Sequence, residues 1–124
     1  MIFHIFGDKE IENWPREEFD GRKYYIVTPE TIKRFEGKDV KFEGYVEGKP
    51  LISFYSTGWP WSFERYVEED HGHRCTFRVS GIQVIFAGVA IVADREKVTI
   101  YGRYKDGIIN AHIIISEKAI FKML

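Results

Sequence analysis

Residues 40–46 read Val-Lys-Phe-Glu-Gly-Tyr-Val, and residues 98–104 read Val-Thr-Ile-Tyr-Gly-Arg-Tyr. Each segment sets apolar residues at alternate positions, which in a strand turns one face to a core and the other outward. Each carries a glycine after two inward apolar residues, and a mid-strand glycine permits a bulge or a sharp coil. Each runs into a glycine-containing turn and an isoleucine-bearing return strand. Glu47-Gly48-Lys49-Pro50 leads to Leu51–Tyr55, and Lys105-Asp106-Gly107 leads to Ile108–Ile115. Two coiled hairpins are what a short strand set needs to curl into a small barrel. The alternative is a chance likeness between two amphipathic hairpins.

Working outward, Cys75, Phe77 and Val79 alternate with Thr76 and Arg78, Ser80-Gly81 breaks the run, and Ile82–Phe86 resumes it. Lys97–Tyr104 is a further strand. Asp106-Gly107 supplies the positive φ values that a tight hairpin needs. Ala119–Leu124 is an apolar tail expected to pack on the core. With Gly44 in a coiled first strand, a turn at Gly48, a long aromatic connection and a final hairpin around Gly107, residues 38 to about 121 resemble the OB-fold, a five-stranded Greek-key barrel. The run Gly102–Ala111 resembles the last two strands of many such domains. One departure is visible: many OB-folds carry a helix between the third and fourth strands, whereas Ala87–Glu96 reads as strand and turn. The best helical stretch, Phe63–Glu69, comes earlier.

Residues 1–37 read as a strand and helix appendage packed on the barrel of residues 38–124. Ile2–Phe6 reads as a strand. Asn13–Phe19 reads as a capped turn of helix ended by Asp20-Gly21, and Lys23–Thr28 as a β-type run. Thr28-Pro29-Glu30 reads as the start of a helix of about two turns, with Ile32 and Phe35 in contact and Gly37 as its stop. The expected class is mainly β, a β-rich α+β chain.

Composition bounds the function. The 124 residues hold 44% hydrophobic and 30% charged side chains, enough for one core and too apolar for disorder. Lys plus Arg number 18 and Asp plus Glu 19, so a wholly basic nucleic-acid coat is excluded while a local basic groove is not. The single cysteine rules out an intramolecular disulfide framework and fits a reducing compartment. Gln occurs once and Asn twice beside abundant charge, a bias that predicts a thermophilic source. Met1–Phe6 stops at Gly7-Asp8 without a basic lead, so a signal peptide is not expected here. The longest apolar stretch, Ile82–Ala93, falls short of the ~20 residues that span a bilayer. A soluble cytoplasmic protein is expected, with no membrane partner.

The most unusual segment is Phe54–Tyr66, with six aromatics that include Trp59 and Trp61 around Pro60. Such rings can stack unpaired bases, anchor a protein partner, or plug the open end of a barrel. If Val40, Phe42, Cys75, Phe77, Val98 and Ile100 face inward, then Lys41, Tyr45, Thr76, Arg78, Tyr101 and Arg103 face outward. Arg74 and Lys105 extend that stripe. Cations mixed with tyrosines on one sheet suit a phosphate backbone with stacked bases. They also suit an ordinary solvated face, and Glu43, Glu68, Glu69 and Asp70 would repel phosphate.

His71, His73 and Cys75 raise a metal site, since imidazole and thiolate bind zinc. Spacing fixes no fourth ligand, and Cys75 equally fits a core position. No phosphate loop, dinucleotide turn, zinc helix or nucleophile elbow is present. The expectation is therefore binding without catalysis or cofactor. Single-stranded nucleic acid, DNA or RNA, would stack on Tyr55, Trp59, Trp61 and Tyr101, with phosphates at Arg74, Arg78, Arg103 and Lys105. A protein-interaction subunit anchored by the aromatic loop is the alternative, and a small metal-dependent enzyme a third.

Overall fold

In a computed structural model the chain is described over residues 11–55 and 72–123, with backbone alone for residues 51–55, 72 and 73. Among the described residues there are eight strands. They are β1 (Arg16–Phe19), β2 (Arg22–Val27), β3 (Lys38–Tyr55), β4 (Gly72–Val79), β5 (Ile82–Phe86), β6 (Lys97–Lys105), β7 (Ile108–Ile115) and β8 (Ile120–Lys122). One 3₁₀ helix, Ile32–Phe35, precedes β3.

Five strands close a barrel in the order β3-β4-β5-β7-β6, with β6 pairing back onto β3. The β5–β7 pair is parallel and the rest are antiparallel. The chain is thus mainly β, with an OB-like barrel shape and extra strands. β2 adds in parallel to β3, β1 pairs β2, and β8 pairs β7.

The two echoing segments are each other's partners. Val40 stands opposite Gly102, Phe42 opposite Ile100, and Gly44 opposite Val98. Both glycines sit where a strand changes neighbours. Just past Gly44, β3 leaves β6 and takes up β4 at Val46. At Gly102 the β6–β7 register shifts around His112, and β7 passes from β5 (through Ala111) to β8 (from Ile113). Every residue expected inward is buried: Val40, Phe42, Cys75 and Ile100 at 0%, Val98 at 1% and Phe77 at 4% exposure. Burying each large side chain of this kind contributes about 1.5–3 kcal/mol.

Four local expectations are corrected. Residues 16–19 form β1 rather than helix, because their alternation lets Glu17 and Phe19 face the barrel while Arg16 and Glu18 face out. Asp20-Gly21, at φ 51° and 82°, is a two-residue hairpin turn like Asp106-Gly107 at 54° and 79°. The helix after Thr28 is a single 3₁₀ turn, although Ile32 and Phe35 are buried as expected. Glu47–Pro50 is not a turn. β3 runs through it, and a bulge sets Gly48, Lys49 and Pro50 opposite Phe77 alone. Residues 87–96 hold no strand; they form a loop that buries Ala90 and Val92 and turns at Asp94-Arg95. The tail pairs as β8 and packs Phe121 against the core, as expected. Ile2–Phe6 and Phe63–Glu69 lie outside the described residues.

Candidate nucleic-acid interface

The barrel's outer surface divides into a roofed part and an open part. The β1–β2 hairpin roofs the outer side of β6 around Tyr101 and the far half of β7, and leaves Arg103 and Lys105 of β6 exposed. Phe19 stacks on Tyr101 with centroids 4.6 Å apart and planes 20° apart. Tyr24 meets the same ring edge-on at 5.1 Å. With Ile113 these rings form a second small core. Glu17 clamps the hairpin down: Lys41 Nζ donates to its Oε1 at 2.9 Å, and the Tyr101 hydroxyl donates to its Oε2. The Tyr101 bond, and then Lys41, hold the Glu17 carboxyl below its ordinary pKa. Burial, and then Glu17, push the Tyr101 phenol above its own. Tyr101 does face outward, but it is only 3% exposed and cannot stack a base. That corrects its expected role; its cover comes from a strand more than eighty residues upstream.

His112, the extra residue in the β7 register, lies beside this core. Its Nδ1 is 3.2 Å from the Tyr24 hydroxyl. Burial, and then Arg22, lower its pKa. In the neutral tautomer with its proton on Nε2 the ring accepts from the Tyr24 hydroxyl, and in the other tautomer Nδ1 donates to it.

The Glu17 clamp makes stability pH-dependent. A depressed carboxyl contributes fully above the ordinary carboxylate range, and the contribution fades as pH falls through the folded-state value. Glu17→Gln should therefore flatten the acid limb of a melting-temperature profile below about pH 4.5. With the carboxylate 37% exposed, solvent screens the pair. The expected loss near neutral pH is a few degrees at most. An unchanged acid limb would rule the clamp out.

The open part spans β4, β5, β7 and β6. Cross-strand registers lay out two rows, Arg78–Gln83–Ile108–Lys105 and Thr76–Ile85–Asn110–Arg103. No residue in either row is buried. At about 4.8 Å per strand, the first row carries its two cations roughly 14 Å apart as measured around the curved barrel wall. Arg74 lies one residue pair beyond the second row and is exposed. Arg74, Arg78, Arg103 and Lys105 therefore all point outward, but from β4 and β6, three strand steps apart around the closed barrel rather than on one flat face. Arg103 Nε donates to Asp39 at 3.4 Å, and Arg22 approaches the same carboxylate at 3.7 Å. Arg78 and Lys105 make no ion pair among the described residues. Glu47, opposite Arg78, accepts instead from Gly81 N at 2.7 Å.

The aromatic segment belongs to the connection between β3 and β4. The chain leaves β3 at Tyr55 and re-enters at Gly72, which pairs with it, while Ser53 pairs with Arg74. The connection therefore starts beside the Arg74 end of the open face. Trp59, Trp61 and His71 lie outside the described residues, and of Tyr55 and His73 only the strand positions are described. Cys75 faces the core, where its thiol donates to Ala90 O at 3.6 Å and burial raises its pKa. Among the described residues no group of three His, Cys, Asp or Glu side chains could hold a metal.

A second aromatic and cationic cluster went unread in the sequence. Arg34 lies over Trp14 at 5.4 Å, and Arg16 over Tyr25 at 5.7 Å. Both rings rest on buried Phe35, at 5.2 and 5.1 Å. The Trp14 indole donates to Ile26 O at 2.6 Å, which fixes its tilt. Exposed guanidinium–ring contacts contribute about 0.5–1 kcal/mol and orient the cation. Trp14, Arg16, Glu18 and Lys23 line a depression of about 360 Å³. Reading Asp20-Gly21 as a hairpin turn would have set Arg16 opposite Tyr25. Comparison of the chain with protein-family models, with curated proteins and with solved structures finds no match in any of the three.

Proposed function

We propose that the chain binds single-stranded nucleic acid across the open face of β4, β5, β7 and β6. Phosphates meet Arg74, Arg78, Arg103 and Lys105. Bases turn toward the connection that begins at Tyr55 and carries Trp59 and Trp61. The observation that supports this reading most is that those four cations point outward along the unroofed stretch of the barrel wall, with Arg74 beside the start of the aromatic segment. Asp39 and Glu47 at the margins weaken non-specific attraction, so affinity rests on stacking as much as on charge, with each base–aromatic stack contributing about 1–3 kcal/mol. Tyr101 takes no part.

An oligothymidylate titration at low salt, followed by tryptophan emission, tests the proposal. Quenching is expected, with affinity that falls as salt rises. Single strands lose about 0.7 in log–log slope per phosphate contact removed. Arg78→Ala combined with Lys105→Ala should accordingly reduce the slope by about 1.4 while the melting temperature stays put. A flat titration with both DNA and RNA oligomers at low salt would end the reading.

A further inference from the structure

We infer that the outer side of the β1–β2 hairpin is a second phosphodiester-binding patch, over which a strand leaving the open face continues; the inference rests on the reading just proposed. The patch consists of Trp14, Arg16, Lys23, Tyr25 and Arg34, with Glu18 set among them.

Three observations carry it. Two guanidiniums are already laid on rings, Arg34 on Trp14 and Arg16 on Tyr25, so their planar donor forks are oriented before any ligand arrives. A guanidinium plane of this kind also accepts a stacked base. Arg16 has no carboxylate at ion-pair distance among the described residues; its ring contact, rather than an acid, positions it.

The patch also adjoins the open face. Asp106 N donates to Glu36 Oε2 at 2.8 Å, and Gly37 N donates to Tyr104 O at 2.6 Å. These bonds tie the end of the 3₁₀ helix, which carries Arg34, to the β6–β7 turn, which carries Lys105. A strand passing Lys105 on this route crosses the Glu36 carboxylate, which the Asp106 amide holds, before it reaches Arg34 and the Trp14–Arg16 depression. Glu18 opposes this path: it lines the depression and stands opposite Lys23 in the hairpin register. That opposition gives a test of reversed sign.

The experiment compares a short oligothymidylate of about 6 nucleotides, which the open face alone accommodates, with one of about 20 that reaches the patch. Arg16→Gln with Arg34→Gln should weaken the long oligomer about fivefold or more and cut its salt slope by about 1.4, leaving the short one within twofold. Glu18→Gln should strengthen the long oligomer about twofold and not the short one. Equal responses at both lengths, or none from either variant while Arg78→Ala with Lys105→Ala does weaken binding, would overturn the inference alone. If instead the open-face variant is silent and the patch variant is not, the proposed function falls and the patch stands as the binding site. Wild-type protein that binds neither length overturns both.

Discussion

Gly102→Ala is expected to lower the thermal midpoint by roughly 12 °C, the largest effect of a glycine-to-alanine change among the described residues. A Cβ at this position would overlap Asn110 O and come within 2.8 Å of Ala111 Cα. Both are backbone atoms of β7 and cannot rotate away. Overpacking costs about 1–3 kcal/mol where side chains can yield. Here the ladder itself must move, so the upper end, about 3 kcal/mol, applies. At about 4 °C per kcal/mol for a chain of this size, the midpoint shift follows. Gly44→Ala is the matched comparison. Its new Cβ would meet Ser80 Oγ and lie 2.7 Å from Val79 Cγ1, both side-chain atoms. Ser80 can turn, so the loss should be less than half as large. A Gly102→Ala protein that melts with the wild type, or no worse than Gly44→Ala, would show that the β6–β7 bulge does not depend on the missing Cβ.

This pair of glycines also marks how far the sequence could be read. Their place in two matching alternating segments was visible because strand period survives in the primary structure, and the inward residues followed from it. That the two segments pair with each other was not visible, since each satisfies the same pattern with any partner. The bulge at Gly48 was read as a turn because Glu-Gly-Lys-Pro has turn composition. What holds it open as strand lies nearly fifty residues away: Gly48 N donates to Asp94 Oδ1 at 2.8 Å, and Val46 exchanges backbone bonds with Arg95 and Glu96. Local chemistry does not contain that partner. The roof over Tyr101 was hidden for the same reason, although the alternation of Glu17 and Phe19 beside an Asp-Gly turn was in plain sight. Of the candidate site, the outward direction of the four cations is legible from the alternation, but not their spread over β4 and β6 around the closed barrel. The arginine–ring pairs were missed because a helix was assigned where the hairpin lies.

Phe35→Ala should be the most damaging core substitution with a functional signature. Phe35 is fully buried at the mouth of the barrel, beneath both Trp14 and Tyr25. Removing such a ring costs about 3–5 kcal/mol, the transfer term plus the cavity left behind. That corresponds to a midpoint drop of roughly 12–20 °C. The cavity also opens under the two rings that orient Arg34 and Arg16, so the patch loses its floor while the open face keeps its own. Below the lowered midpoint, long oligothymidylates should weaken as they do in the Arg16/Arg34 variant, and short ones should not. Phe35→Leu separates the two effects. It keeps most of the volume, at about 1.5 kcal/mol or less, but removes the flat ring on which Trp14 rests edge-on. The prediction is a protein that melts within about 6 °C of the wild type, shows altered Trp14 emission, and has a reduced preference for long strands. If Phe35→Leu preserves that length preference in full, ring geometry at the barrel mouth has no bearing on the arginines above it, and their orientation must come from elsewhere in the hairpin.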